Sequence, residues 1–144
     1  MELAYASVAL AQPPDVVWSV LGDFHGLAGW VRRIRSSEAE DGTGVGSVRR
    51  LTLDPDGLVA RERLVSHDDP GRRYSYEFAD EIPFPASAYR GTVHLLPITD
   101  TGGTFLEWYG EYECAPGLEQ TLRDTFTGIY ASFFADLRAK LEGG

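Results

Sequence analysis

The chain's 144 residues, 43% hydrophobic and 12% aromatic, suffice for a single domain that buries roughly two thirds of its unfolded surface and keeps room for a core and a cavity. A charged fraction of 24%, with no apolar run near ~18 residues, argues against a membrane-spanning helix. With 13 basic against 22 acidic residues the net charge is −9, which repels phosphate backbones and anionic lipid, so neither nucleic acid nor a membrane is expected as a partner.

Leu3 to Ala11 alternate as a first strand, and Glu2 stands where a secretory leader would be basic, so "MELAYASVALA" reads as structure. Pro13-Pro14-Asp15 starts a helix where a missing N–H costs nothing. Its apolar stripe is Val16, Val17, Val20 and Leu21, and Gly22 ends it. Asp23 to Trp30 follows as a second short helix or turn carrying Phe24, Leu27 and Trp30 inward. Turn clusters at Asp41 to Gly46, Asp54 to Gly57, Asp68 to Gly71, Asp80 to Pro85 and Asp100 to Gly103 then bound strands near 33–40, 47–53, 58–66, 72–79, 87–97 and 104–114. Seven strands in an antiparallel meander are predicted.

The last three strands place Tyr74, Tyr76 and Phe78, then Tyr89, Gly91, Val93 and Leu95, then Leu106, Trp108, Gly110 and Tyr112 on one face. Ser75, Glu77, Arg90, Thr92, His94, Glu107, Glu111 and Glu113 fall on the other, so the sheet is expected to be wet on one side only. After Pro116-Gly117 a helix is predicted to about Leu141, apolar at Leu118, Leu122, Phe126, Ile129, Phe133, Leu137 and Leu141. Only the aromatic sheet face is large enough to cover that stripe, which places the helix across it in an α+β architecture.

Glu62 shares its side of a strand with Ala60 and Leu64. A carboxylate among apolar groups is costly unless it is paired, hydrogen-bonded or used. Gly91 and Gly110 interrupt the aromatic face, and Gly128 costs the long helix roughly 1 kcal/mol relative to alanine. These gaps either open a pocket or permit strand bending and close helix contact. His67, beside Asp68 and Asp69, reads as a surface turn. No histidine pair has ligand spacing and the lone Cys114 has no metal companion, so no metal site is expected. One cysteine also excludes an intramolecular disulfide and fits a reducing, cytoplasmic setting. "GTGVG" at Gly42 to Gly46 lies between hairpin strands with no helix to receive a phosphate, and no serine-hydrolase elbow is present.

The segments "PPDVVWSVLGDFHGLAGW", "GVGSVRRLTL", "ARERLVSHDDPGRRYSYEF", "PASAYRGTVHLLP" and "FLEWYGEYE" resemble, in order and spacing, the bacterial polyketide cyclase/dehydrase-like branch of the START/birch-pollen-allergen (SRPBCC) superfamily over nearly the whole chain. The resemblance implies a helix-grip fold, a START-like ligand-binding domain over 1–144 whose seven-stranded sheet wraps the long C-terminal helix, with two short helices sealing one end of a hydrophobic cavity. The plant abscisic-acid receptors look like distant relatives. Their "ERL…DD" strand matches Glu62-Arg63-Leu64 with Asp68-Asp69, and their cavity lysine matches Arg35 within Ile34-Arg35-Ser36. The matching glutamate and lysine contact the ligand's polar end in that family. The "DPDG" turn at Asp54 to Gly57 lacks the signature of their gate.

Glu62 and Arg35 are therefore the charged candidates for the cavity. Burial would raise the glutamate's pKa and a guanidinium lower it, a balance suited to proton transfer, while the arginine would hold a developing oxyanion. The competing account is a structural Arg–Glu pair. The lining is assigned to Leu51, Leu53, Tyr76, Tyr89, Gly91, Trp108, Gly110, Tyr112, Phe126, Ile129 and Phe133, with His25 at the mouth or else in a solvated loop. The expected function is enclosure of a small hydrophobic, aromatic or polyketide-like metabolite and its cyclisation or dehydration without a cofactor. The alternative is a non-catalytic carrier or sensor. Homodimers are common among soluble proteins, but no segment identifies an interface.

Overall fold

A computed structural model describes residues 1–143. Strand β1 (Glu2–Leu10) leads through Pro13 into helix α1 (Pro14–Leu21), and a 3-10 segment, Phe24–Gly29, follows. Strands β2 (Ile34–Glu40), β3 (Val48–Leu53), β4 (Val59–Asp68), β5 (Arg73–Phe78), β6 (Ala86–Ile98) and β7 (Gly103–Cys114) precede helix α2 (Glu119–Gly143). The strands form one antiparallel sheet in the order β1-β7-β6-β5-β4-β3-β2. Only β1 departs from a simple meander: it closes onto β7, with Ala4 opposite Gly110 and Ala6 opposite Trp108. Short turns let each hairpin form locally, and the first strand adds at the edge left by the last.

The predicted aromatic face is buried as expected: Tyr74, Tyr76, Tyr89, Trp108 and Tyr112 are all less than a tenth exposed. Helix α2 packs across it against β1 and β7. Its buried residues are Leu122, Phe126, Tyr130, Phe134 and Leu137. Ile129 and Phe133, central to the predicted stripe, are only half-buried. The covered arc is therefore wider than one row of i, i+3 and i+4 positions, and Tyr130 and Phe134 form its sheet-facing flank. Among the described residues no helix is long and apolar enough to cross a membrane.

Two expectations about the surface need correction. The outer sheet face is not wholly wet, because Ser75 and Thr92 are buried there and hydrogen-bonded to each other at 3.0 Å. His67 is no free turn residue: its Nε2 lies 2.8 Å from the carbonyl of Gly22, and its ring stacks on Tyr74. Trp18 donates its indole N–H to Asp69 at 2.9 Å, so the end of α1 is tied to the β4–β5 turn.

Candidate functional site

Antiparallel register sets Arg49 opposite Glu62 and Leu51 opposite Ala60. Alternation along β3 and β4 then turns Arg49, Leu51, Leu53, Ala60 and Glu62 to the side that faces α2. Between this wall and the helix lies a cavity of about 220 Å³. Tyr76, Phe78 and Tyr89 continue the wall across β5 and β6, and Phe126, Ile129, Tyr130 and Phe133 supply the helix side. Leu27, Val31 and Ile34 close the end nearest the 3-10 segment. Phe84, from the β5–β6 loop, packs against Phe126 with ring centroids 5.0 Å apart and closes another side. Exposed Leu58, Pro83 and Arg33 stand at the rim.

A buried ion pair in this wall joins Glu62 to Arg49. The guanidinium donates through Nε at 2.8 Å and approaches through Nη2 at 2.7 Å, and both contacts fall on Oε1 of Glu62. Nη1 donates to the Phe24 carbonyl at 2.9 Å. The guanidinium also lies over the Phe24 ring, 3.9 Å from its centroid, and 5.0 Å from that of Tyr76. The Arg49 side chain is 1% exposed and that of Glu62 12%. Burial is the largest influence on Arg49 and opposes its charge, but the Glu62 carboxylate, with Tyr74 and Tyr76, outweighs it and holds the guanidinium pKa above its ordinary value. Arg49 is thus a fixed cation whose work is to hold Glu62 as an acceptor on the cavity wall.

A second polar group runs along the aromatic wall. Trp108 Nε1 donates to the Tyr76 hydroxyl at 3.1 Å, Tyr76 and Tyr89 hydroxyls are 3.4 Å apart, and Tyr89 and Tyr130 hydroxyls 2.5 Å. The cluster fits because Gly91 and Gly110 lack side chains. A Cβ on Gly91 would lie 2.3 Å from the Tyr76 ring, and one on Gly110 would lie 2.2 Å from the Tyr130 hydroxyl. These glycines therefore admit tyrosine rings rather than line the cavity. Burial is the main reason that the pKa values of Tyr76, Tyr89 and Tyr130 are raised.

A model of the family described as polyketide cyclase / dehydrase and lipid transport matches residues 1–142. The chain belongs to this family. XoxI from Bacillus cereus shares 28% sequence identity, with 98% of this chain and 96% of that one covered and a TM-score of 0.87. Ara h 8.0201 is similar in structure at 16% identity, 99% coverage of both chains and TM-score 0.78. A norcoclaurine synthase point mutant from Thalictrum flavum is similar at 18% identity, with 99% of this chain and 94% of that one covered and TM-score 0.77. At those identities the last two show the shared helix-grip fold alone. No curated protein matches the sequence.

Glu62, Leu51, Leu53, Tyr76, Tyr89, Phe126, Ile129 and Phe133 come together around the cavity. Arg35 does not. Its side chain is 52% exposed and paired with Asp54 at 2.7 Å, because a register shift between Ile34 and Ser36 turns it outward. Trp108 and Tyr112 are core residues outside the lining: Trp108 packs between Trp30, Tyr130 and Phe133, and Tyr112 donates its hydroxyl to the Glu119 carbonyl at 2.7 Å. His25 faces a separate hollow bounded by Thr43, Val45 and His67. Its Nε2 is 2.8 Å from the Ser47 hydroxyl, which itself donates to Gly44, so Nε2 carries the hydrogen and the buried Nδ1 is left without a partner. Burial, reinforced by Arg49 and partly offset by Asp23, lowers the His25 pKa below 6.5.

The reading from sequence missed Arg49 and Tyr130. Arg49 had a signal, since it shares parity with Leu51 and Leu53 and so belongs to their face. Tyr130 had one too, since it stands at i+4 from Phe126 and so shares that residue's side of the helix.

Proposed function

We propose that the protein encloses a small, mainly hydrophobic molecule between α2 and the sheet and promotes an acid–base step of the cyclisation or dehydration kind, with Glu62 accepting the proton. The observation that carries this reading is a carboxylate on the wall of an otherwise largely apolar cavity, aimed there by a buried arginine. A volume of about 220 Å³ exceeds the ~150 Å³ that accommodates benzene and falls short of the ~300 Å³ at which drug-sized sites begin. The occupant is accordingly one or two rings, aromatic or polyketide-like. Catalysis would come from holding a flexible substrate folded away from water beside Glu62, and this chemistry calls for no cofactor. The family's description supports it.

A carrier or sensor is the second reading, and one observation favours it. Glu62 is already engaged by two guanidinium nitrogens, so it can accept a hydrogen bond from a ligand's O–H or N–H without any proton being transferred. Native mass spectrometry of protein purified from its own host identifies the bound molecule, which is then incubated with fresh protein. Conversion that is lost in Glu62→Gln while binding persists supports the enzyme; recovery of the molecule unchanged supports the carrier. Conversion undiminished in Glu62→Gln removes Glu62 from the mechanism. Thermal stability of the variant is recorded alongside, because Gln meets Arg49 without a charge.

A further inference from the structure

The tyrosine cluster has a hydrogen to spare. Each hydroxyl carries one hydrogen and two acceptor lone pairs, and an indole N–H only donates. Three hydroxyls, those of Tyr76, Tyr89 and Tyr130, are joined by two contacts, Tyr76 to Tyr89 and Tyr89 to Tyr130. Whichever way these bonds run, they consume two hydrogens of three. The Trp108 bond to Tyr76 takes up a lone pair and no hydroxyl hydrogen. Among the described residues no other acceptor is hydrogen-bonded to the three oxygens, and all three residues line the cavity.

The direction of the chain locates the spare hydrogen. A hydroxyl that accepts a hydrogen bond becomes a better donor, so donation from Trp108 favours Tyr76 giving to Tyr89 and Tyr89 to Tyr130. We propose that Tyr130 presents a free hydroxyl to the cavity and makes the site selective for ligands whose enclosed end bears an accepting oxygen: a ketone, aldehyde, ester or thioester carbonyl. This rests on the cavity being a ligand site. Burial holds the tyrosines protonated, so the donor persists across physiological pH. Glu62, on the same cavity, is acceptor only. A carbonyl compound with an acidic hydrogen next to it would satisfy both groups together, its oxygen at Tyr130 and that hydrogen towards Glu62.

Acetophenone and isopropylbenzene test the inference, having the same heavy-atom skeleton with and without the oxygen. In the unmodified protein acetophenone is expected to bind roughly tenfold more tightly by NMR titration, with its C=O stretch moved to lower frequency. Tyr130→Phe should abolish most of that preference, weakening acetophenone more than isopropylbenzene, and return the stretch towards its value in an apolar solvent. Tyr89→Phe, which isolates Tyr130 with its hydrogen still free, should keep the preference. Equal affinity for the two probes, or a preference that survives Tyr130→Phe, overturns the assignment while leaving the cavity reading intact. If neither probe binds, the ligand-site reading itself fails and takes this inference with it.

Discussion

The two flanks of α2 meet interiors of different kinds. Where the helix faces β7, Trp108 has no exposed surface and is in ring contact with Trp30, Tyr130, Phe133 and Phe134. Where it faces β3 and β4, Leu51, Leu53 and Ala60 reach only part-way towards Ile129, and the cavity fills the difference. Both regions are built from apolar side chains, so hydrophobicity alone does not decide between solid and hollow. Side-chain size does: the large aromatics sit on β5 to β7 and stop at β4.

The sharpest way to break this contrast is to truncate one residue on each flank. Trp108→Ala should cost about 3–5 kcal/mol, since it empties a filled region and removes the donor to Tyr76. Ile129→Ala should cost only about 1–2 kcal/mol, because part of its surface already faces space and solvent. Urea denaturation measures both. Equal losses would mean that the cavity collapses in solution and that the two flanks are packed alike.

Next in size is the ion pair that opens onto the hollow. Arg49→Met alone is expected to cost about 3 kcal/mol, because it leaves Glu62 without its partner at a nearly buried position. The double variant Arg49→Met/Glu62→Leu should recover most of that loss, since replacing both charges by apolar groups removes the desolvation cost of each. Failure of the double variant to recover would point instead to the Phe24 carbonyl and ring as the contacts that need Arg49.

These effects mark how far the sequence could be read. Alternation and turn residues located all seven strands to within a few residues, because buried antiparallel strands with one filled face have little freedom of register. The same rule assigned Glu62 to the cavity side. It also pointed to Arg49, at the parity of Leu51 and Leu53, but a charged residue in "VRRLTL" reads as solvated until its cross-strand neighbour is known. The role of Gly91 and Gly110 was beyond local pattern. A missing Cβ registers as a gap in sequence, whereas here tyrosine rings from β5, β6 and α2 occupy it.

Alkaline pH should bear on the tyrosine cluster. The pKa values of Tyr76, Tyr89 and Tyr130 stand above 10.0 in the folded chain, chiefly through burial. An unfolded chain releases these protons near pH 10 and the folded one retains them, so the folded state binds more protons there. Their stabilisation is complete below about pH 10 and is lost as pH rises from that point through the higher folded values. Urea midpoints from about pH 8 to about pH 11 should fall at the alkaline end, and the fall should be shallower in Tyr89→Phe. A slope unaltered by Tyr89→Phe would assign the alkaline loss to other groups, Tyr74 first among them.

The smallest effect belongs to Arg35, and its smallness is what makes it useful. The bulge after Ile34 shifts β2 against β3 and turns Arg35 towards Asp54, where both side chains are about half exposed. An ion pair so placed contributes at most about 1 kcal/mol and weakens with salt. Arg35→Ala should therefore leave stability within about 1 kcal/mol of the original, and should leave the affinity of any cavity ligand unchanged, whereas Arg49→Met disturbs both. A ligand whose binding weakened tenfold in Arg35→Ala would require the β2 bulge to rearrange when the cavity is occupied, drawing this arginine inward. That would make the β2–β3 edge a moving part of the site and not only its outer support.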